Sequence, residues 1–381
     1  MRFAVVALLT CVGLAPAANL EDANKLIVQL KAVAKEGAGN QEAGAAWKGL
    51  VAIGGDAILP TLNAMDDASP SAANWLRSAV NAVTEKEVAA GKKLPAEALE
   101  AFLNDLKHDP SARRLAYEVL VMADPKAPER LLPSYLNDAS GEMRRDAIAA
   151  ALKKAEKLAG EAAKKEYARL FAVVRDDDQA KTIGTALHKL GGNPDVVSQF
   201  GIVTKWQIAG PFDSPKGAGF AGKALPESKV DLKAKYEGKE KAEVMWKPHV
   251  VEVDPTKFEL DQIGNVDFNK VLAKHKDAVA YGYTIVESEK ELPVEIRVGC
   301  INAVKFFLNG KELFAREEYH HGSRFDQYVA KATLKAGKNE LLVKVCQNDQ
   351  KEPWAQLWQF QARICDATGG AVPVKNVTPV N

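Results

Sequence analysis

Along residues 20 to about 198, apolar side chains recur at helical spacing, as in LIVQLKAVAKE and RRDAIAAALKKAEKL, and strand-like alternation is absent. Short polar breaks interrupt these runs: GAGN, DDASPS, KHDPS, NDASGE and RDDDQ. The breaks recur with their flanks. LNAMDDASPSAANWLRSAV from Leu62, LNDLKHDPSARRLAYEVL from Leu103, LNDASGEMRRDAIAAAL from Leu136 and FAVVRDDDQAKTIGTAL from Phe171 align, at steps of 41, 33 and about 35 residues. A period of this size, carrying a helix, a polar turn and a second helix, predicts an α-solenoid in which neighbours stack to bury each apolar face. In each break, Asp or Ser is placed to cap the next helix, and Pro suits its first turn.

From Val203 the pattern changes. β-branched and aromatic residues now alternate with polar ones, and four of the six Trp fall here: Trp206, Trp246, Trp354 and Trp358. LPVEIRVGC places Val294, Ile296, Val298 and Cys300 on one face, with Glu295 and Arg297 on the other. VKFFLNG points Val304, Phe306 and Leu308 inward, and Trp358, Phe360, Ala362 and Ile364 share a strand face. Asn309-Gly310 between apolar runs predicts a two-residue hairpin, whose type I′ turn needs positive φ at both central positions. Trp206 and Phe212 flank a Gly-Pro turn and are expected to close a sheet edge. These runs read as antiparallel strands of a two-sheet sandwich.

Two resemblances follow from these residues. AIGGDAILPTLNAM and its echo MADPKAPERLLPSYL resemble HEAT-like repeats, in which a Gly turn precedes an apolar helix carrying Leu-Pro. AYGYTIVES, VEIRVGC, VKFFLNGKELF and LKAGKNELLVKVCQN resemble a galactose-binding-like jelly roll, and WQIAGPF resembles the lead-in to that sandwich in exported proteins. The expected organisation is a leader at 1–17, a HEAT-like helical domain at 19–198, a galactose-binding-like β-sandwich at 203–369 and a flexible tail at 370–381. The fold class is multidomain, α then β. Such modules bind carbohydrate or pack against a neighbour, so the fold does not settle function.

The opening MRFAVVALLTCVGLAPA has a cationic start, an apolar run too short to span a bilayer and Ala15-Pro16-Ala17 at the cleavage positions. It predicts export, to the periplasm, cell surface or medium. No transmembrane segment is expected. Lys plus Arg number 51 against 50 Asp plus Glu, a balance that argues against a general nucleic-acid binder. Cleavage would remove Cys11 and leave Cys300, Cys346 and Cys365. The last two lie at the far ends of successive strands, roughly 25 Å apart at ~3.4 Å per residue, beyond disulfide reach. Buried free thiols are the expectation, with pairing of Cys300 left open. No Cys/His spacing suggests zinc.

The densest polar cluster is EEYHHGSRFDQ at 317–327. Tyr319, His320, His321, Arg324, Asp326 and Gln327, with Trp354, form the candidate ligand site. An aromatic ring offers a platform for a sugar, and Asp, Arg and Gln offer groups for its hydroxyls. The competing reading has Asp326 and Arg324 fix the loop by pairing with each other or with backbone. His320 and His321 point to opposite sides of an extended segment, so no metal is expected there. No GxSxG elbow, HExxH helix or P-loop occurs. The acidic pair Glu317-Glu318 and the run at Asp176 are contiguous, unlike the facing carboxylates of glycosidases. The expectation is therefore a protein that is no enzyme and carries no cofactor. Its sandwich binds a glycan or envelope component, and its helical repeats bind a protein partner. The alternatives are a purely structural adaptor and a glycan-processing hydrolase.

Overall fold

In the computed structural model the described residues are 15–225, 227–377 and 379, apart from the side chains of residues 15–19 and of Trp354. Residues 1–14 of the expected leader, with Cys11, and the side chain of the candidate Trp354 lie outside them. Helices fill the first half and antiparallel sheets the second. The chain divides into two compact units, 1–147 and 148–381. The packing therefore divides some 50 residues before the change of periodicity at Val203, and the last helices belong with the strands. Among the described residues no helix is long and apolar enough to cross a membrane.

The first unit contains α1 (Ala15–Lys31), α2 (Asn40–Ile53), α3 (Ile58–Asn63), α4 (Pro70–Ala89), α5 (Ala96–Asn104), α6 (Pro110–Ala123), α7 (Ala127–Leu131) and the start of α8 (Gly141–Ala155). The polar breaks DDASPS and KHDPS act as caps, while among the described residues no side-chain bond caps α2 at Gly39 of GAGN or the helix that follows Asp176 of RDDDQ. Ser69 accepts from Ala72 N at 3.3 Å with Pro70 opening α4, and Asp109 accepts from Ser111 N at 2.8 Å with Pro110 opening α6. The breaks also join one another. Asp66 of DDASPS accepts from Asp109 N and from His108 of KHDPS at 2.8 and 2.7 Å. Arg113 on α6, fully buried, reaches Asp138 of NDASGE with two bonds of 2.8 and 3.0 Å and donates a third to Leu103 O. A planar guanidinium whose bonds all end on fixed acceptors holds consecutive turns in register.

The second unit contains α9 (Gly160–Phe171), α10 (Asp177–Lys189) and α11 (Val196–Phe200), then the sheets. Its strands are β1 (Lys205–Asp213), β2 (Tyr236–Glu237), β3 (Glu243–Val244), β4 (Lys247–Val250), β5 (Val266–Asp267), β6 (Ala278–Ser288), β7 (Leu292–Cys300), β8 (Ala303–Leu308), β9 (Lys311–Arg316), β10 (Tyr328–Leu334), β11 (Gly337–Gln347), β12 (Gln359–Cys365) and β13 (Val374–Val377). A short helix, α12 (Phe268–Val271), follows β5. A seven-stranded sheet runs β4-β1-β6-β11-β8-β9, with β13 also paired to β6, and a four-stranded sheet runs β10-β7-β12-β5. Within the segment expected as a tail, β13 pairs with β6, and Asn376 accepts from Thr204 N and Lys205 N.

The two sheets share a core made by the faces the alternation points inward. Val294, Ile296, Val298 and Cys300 of β7 meet Phe306 of β8 and Phe360 of β12 there. Asn309 (φ 51°) and Gly310 (φ 77°) make the two-residue hairpin between β8 and β9, both left-handed as a type I′ turn requires. Trp206 departs from expectation. It is wholly buried in this core, edge-on to Phe360 at 4.9 Å, and Gly210-Pro211 lies inside β1, where the ladder is bulged, instead of forming a turn. Phe212 is buried on the other side of the same sheet.

That other side is also covered. Leu225, Val244 and Trp246 pack onto Tyr281, Phe307 and Leu342, so β6 and β11 are buried on both faces and read as near-continuous apolar runs. Lys344 interrupts the run and is itself buried. Its ammonium donates to Glu227 at 2.9 Å, to Phe220 O at 3.2 Å and to Gly222 O, using all three N–H groups. Cys300, Cys346 and Cys365 are all buried and free.

Candidate functional site

The loop 317–327 joins β9 to β10, and its second half, around 324–327, lies on the outer face of the four-stranded sheet. That face carries the polar alternates of two strands: Glu295, Arg297 and Gly299 of β7, with Gln361 and Arg363 of β12. Gly299 lets the loop backbone settle on the sheet, because a Cβ there would stand 2.7 Å from Arg324 O.

Asp326 anchors the loop. Its carboxylate accepts two bonds of 2.6 Å from Arg363 and one of 2.7 Å from Arg297. Arg297 is also held by Glu295 at 2.6 Å, and Arg363 donates to Phe200 O and Gly369 O at 3.1 and 2.9 Å. Burial works to raise the Asp326 carboxyl, but the bonds and charge of Arg363 and then of Arg297 outweigh it and hold the group below the usual carboxylate range. Arg363 is 2 % exposed, and its guanidinium lies 4.6 Å from the Phe325 ring centre. The pairing that fixes the loop thus runs from Asp326 to two sheet arginines, and Arg324 takes no part in it.

Gln327 holds the other end. Its Oε1 accepts from Cys300 N at 3.1 Å, so its amide N–H donates to His321 Nδ1 at 2.8 Å. His321 then carries its proton on Nε2, facing Tyr328 Oη at 3.1 Å. The Tyr328 phenol is pushed up to about 12 by burial, with help from Cys300 and Glu318.

These anchors leave a depression of about 470 Å³ on the surface. His321, Arg324, Asp326 and Gln327 line it, together with Glu318 and Phe325. Four of the seven candidates are therefore brought together. Arg324 is exposed, and its guanidinium has no partner among the described residues. Tyr319 and His320 turn away. Tyr319 packs against the core on the far side of the seven-stranded sheet, where burial raises its phenol, and His320, left-handed at φ 59°, bonds to Asn348. The aromatic side chain on this depression is Phe325, which was not among the residues singled out from the sequence. Among the described residues no group of three or more His, Cys, Asp or Glu is placed to hold a metal ion.

A second polar cleft of about 490 Å³ adjoins the loop at Ser323. It is lined by Asp254, Asp261, Asn265 and Gln359 among others, and the buried Asn265 Oδ1 has no hydrogen-bond partner. Periodicity gave no signal for it, since its walls join residues 251–270 to Ser323 and Gln359, which are distant in sequence.

No protein-family model matches the chain, and no curated protein matches it. Solved structures similar to it include a Kluyveromyces marxianus beta-glucosidase in complex with glucose, at 13% identity and a TM-score of 0.25 over 42% of this chain and 16% of that one. A Faecalibacterium prausnitzii beta-glucuronidase matches at 16% identity and a TM-score of 0.23, over 39% and 21%. A second K. marxianus beta-glucosidase structure matches at 11% identity and a TM-score of 0.27, over 70% and 35%. The chain thus spans well under two thirds of each. The expectation that the protein is no enzyme is corrected by this finding: the similar structures are those of a beta-glucosidase and a beta-glucuronidase, and the absence of catalysis is not carried forward. With TM-scores of 0.23 to 0.27, the likeness by itself assigns no fold family and no activity.

Proposed function

We propose that this is an exported protein directed at carbohydrate, with a HEAT-like helical array ahead of a galactose-binding-like jelly roll whose 317–327 loop holds the sugar. The observation that carries the reading is the division of labour within the loop. Asp326 and Gln327 are spent on the sheet, while Arg324, His321 and Glu318 surround an open depression with Phe325 at its wall. A pre-fixed loop bearing an uncommitted guanidinium suits a polar ligand, because little side-chain ordering remains to oppose binding. A planar donor fork beside a ring matches the rim of hydroxyls and the apolar face of a pyranose.

The test is a glycan array on the full chain, followed by calorimetric titration of the strongest hit against the parent and Arg324→Ala. Affinity falls by roughly tenfold or more in the variant, equivalent to ~1.4 kcal/mol. Retention of no glycan, or equal affinity in Arg324→Ala, overturns the proposal. Reducing sugar released during the same titration, and absent in Glu318→Gln, identifies glycan processing.

A further inference from the structure

The helical unit carries a second feature of a different kind. On α4, Ser71, Asn74, Trp75 and Ser78 follow an i, i+3, i+4, i+7 spacing and so form one stripe. The buried face of the same helix is Ala72, Leu76, Ala79, Val80 and Val83. Trp75 therefore sits on the polar side of an amphipathic helix, where the core does not account for a large indole.

The stripe forms one wall of a groove of about 460 Å³, within the ~300–1,000 Å³ range of small-ligand sites. The opposite wall is the connector between α1 and α2, including Val33 and Glu36, with Asn40 at the start of α2. Both nearby indoles are tied by their N–H. Trp75 donates to Asn40 Oδ1 at 3.3 Å, and Trp47 of α2 donates to Ser78 Oγ at 3.2 Å. The bonds fix each ring by its polar end and leave its faces for contact.

We propose that this groove binds a neutral saccharide, with Trp75 as the stacking surface and Asn40, Ser71, Asn74 and Ser78 as partners for its hydroxyls. Among the described residues lining it, Glu36 alone is charged, so nothing there recognises an anion. Amides and hydroxyls both donate and accept, as sugar hydroxyls do. A docking helix would need an apolar stripe, and this one is polar at three of four positions. A quaternary ammonium on Trp75 beside Glu36 is the chemical rival. The site lies in the other unit from the sandwich loop and does not rest on the reading proposed for that loop.

The full chain is titrated by calorimetry with cellotetraose, xylotetraose and chitotetraose, alongside Trp75→Ala, Asn74→Ala and Arg324→Ala. At least one tetrasaccharide saturates, with affinity reduced roughly tenfold or more in Trp75→Ala and Asn74→Ala and unchanged in Arg324→Ala. Asn74 is exposed, so its variant keeps the fold and reads the site even if Trp75→Ala is unstable. No saturation by any of the three, parent-like binding in Asn74→Ala, or displacement by tetramethylammonium overturns the proposal. Loss confined to Arg324→Ala also overturns it and places the sugar in the sandwich loop.

Discussion

Replacing Asp326 by Ala separates the two roles open to that residue. In the folded protein its carboxylate takes three charge-assisted bonds, two from Arg363 and one from Arg297. Arg297 keeps Glu295 after the change, but Arg363, 2 % exposed, is left with only the carbonyls of Phe200 and Gly369. Removing one partner of a buried ion pair costs about 3–5 kcal/mol because the other charge stays buried. The lower end applies, since two carbonyls still share the Arg363 charge. For a unit of this size ~1 kcal/mol moves the melting temperature by roughly 2–4 °C, so about 3 kcal/mol predicts a fall of ~6–12 °C. The assay is thermal unfolding of the sandwich followed by tryptophan fluorescence, with the glycan titration run in parallel. The folded carboxyl lies below its ordinary value. Its contribution is therefore complete above the unfolded pKa of about 3.9 and is lost as pH falls through the folded value. The gap between parent and Asp326→Asn should close below roughly pH 4. A shift under ~2 °C accompanied by lost glycan binding would show that Asp326 contacts ligand and does not clamp the loop.

Two further outcomes test the cover and the core of the sandwich. Lys344→Ala leaves the buried Glu227 carboxylate without its cation and should cost about 3–5 kcal/mol, whereas Lys344→Met with Glu227→Gln should recover most of it; equal stability of the two would refute the pairing. Cys300, Cys346 and Cys365 should resist a thiol reagent until denaturant is added, as read by mass spectrometry, because burial pushes both the Cys300 and Cys346 thiols up to about 12; prompt native labelling would refute their burial.

Much of the architecture is local and so was legible along the chain. Ser69-Pro70 and Asp109-Pro110 open helices because a cap and a fixed φ act over one turn. The hairpin at Asn309-Gly310 and the inward faces of β7, β8 and β12 follow from turn sterics and a period of two. What the chain could not reveal depends on residues distant in sequence. Alternation marks one face of β11 as buried but cannot say that the other is covered by residues 220–246, which is why Lys344 carries no signal as an interior charge. The candidate loop shows the same limit. Its polar residues were identifiable, but Asp326 meets partners 29 and 37 positions away, and only the register of β7 beside β12 brings Arg297 and Arg363 together beneath it. Composition likewise gave Trp75 no special meaning. The placement of the α1–α2 connector against the polar stripe of α4 turned an indole on a helix surface into the wall of a groove. Short-range order is set by backbone and side-chain preferences within a few residues. Which polar group is spent on the fold, and which stays free for a ligand, is decided by contacts that form only when the chain is packed.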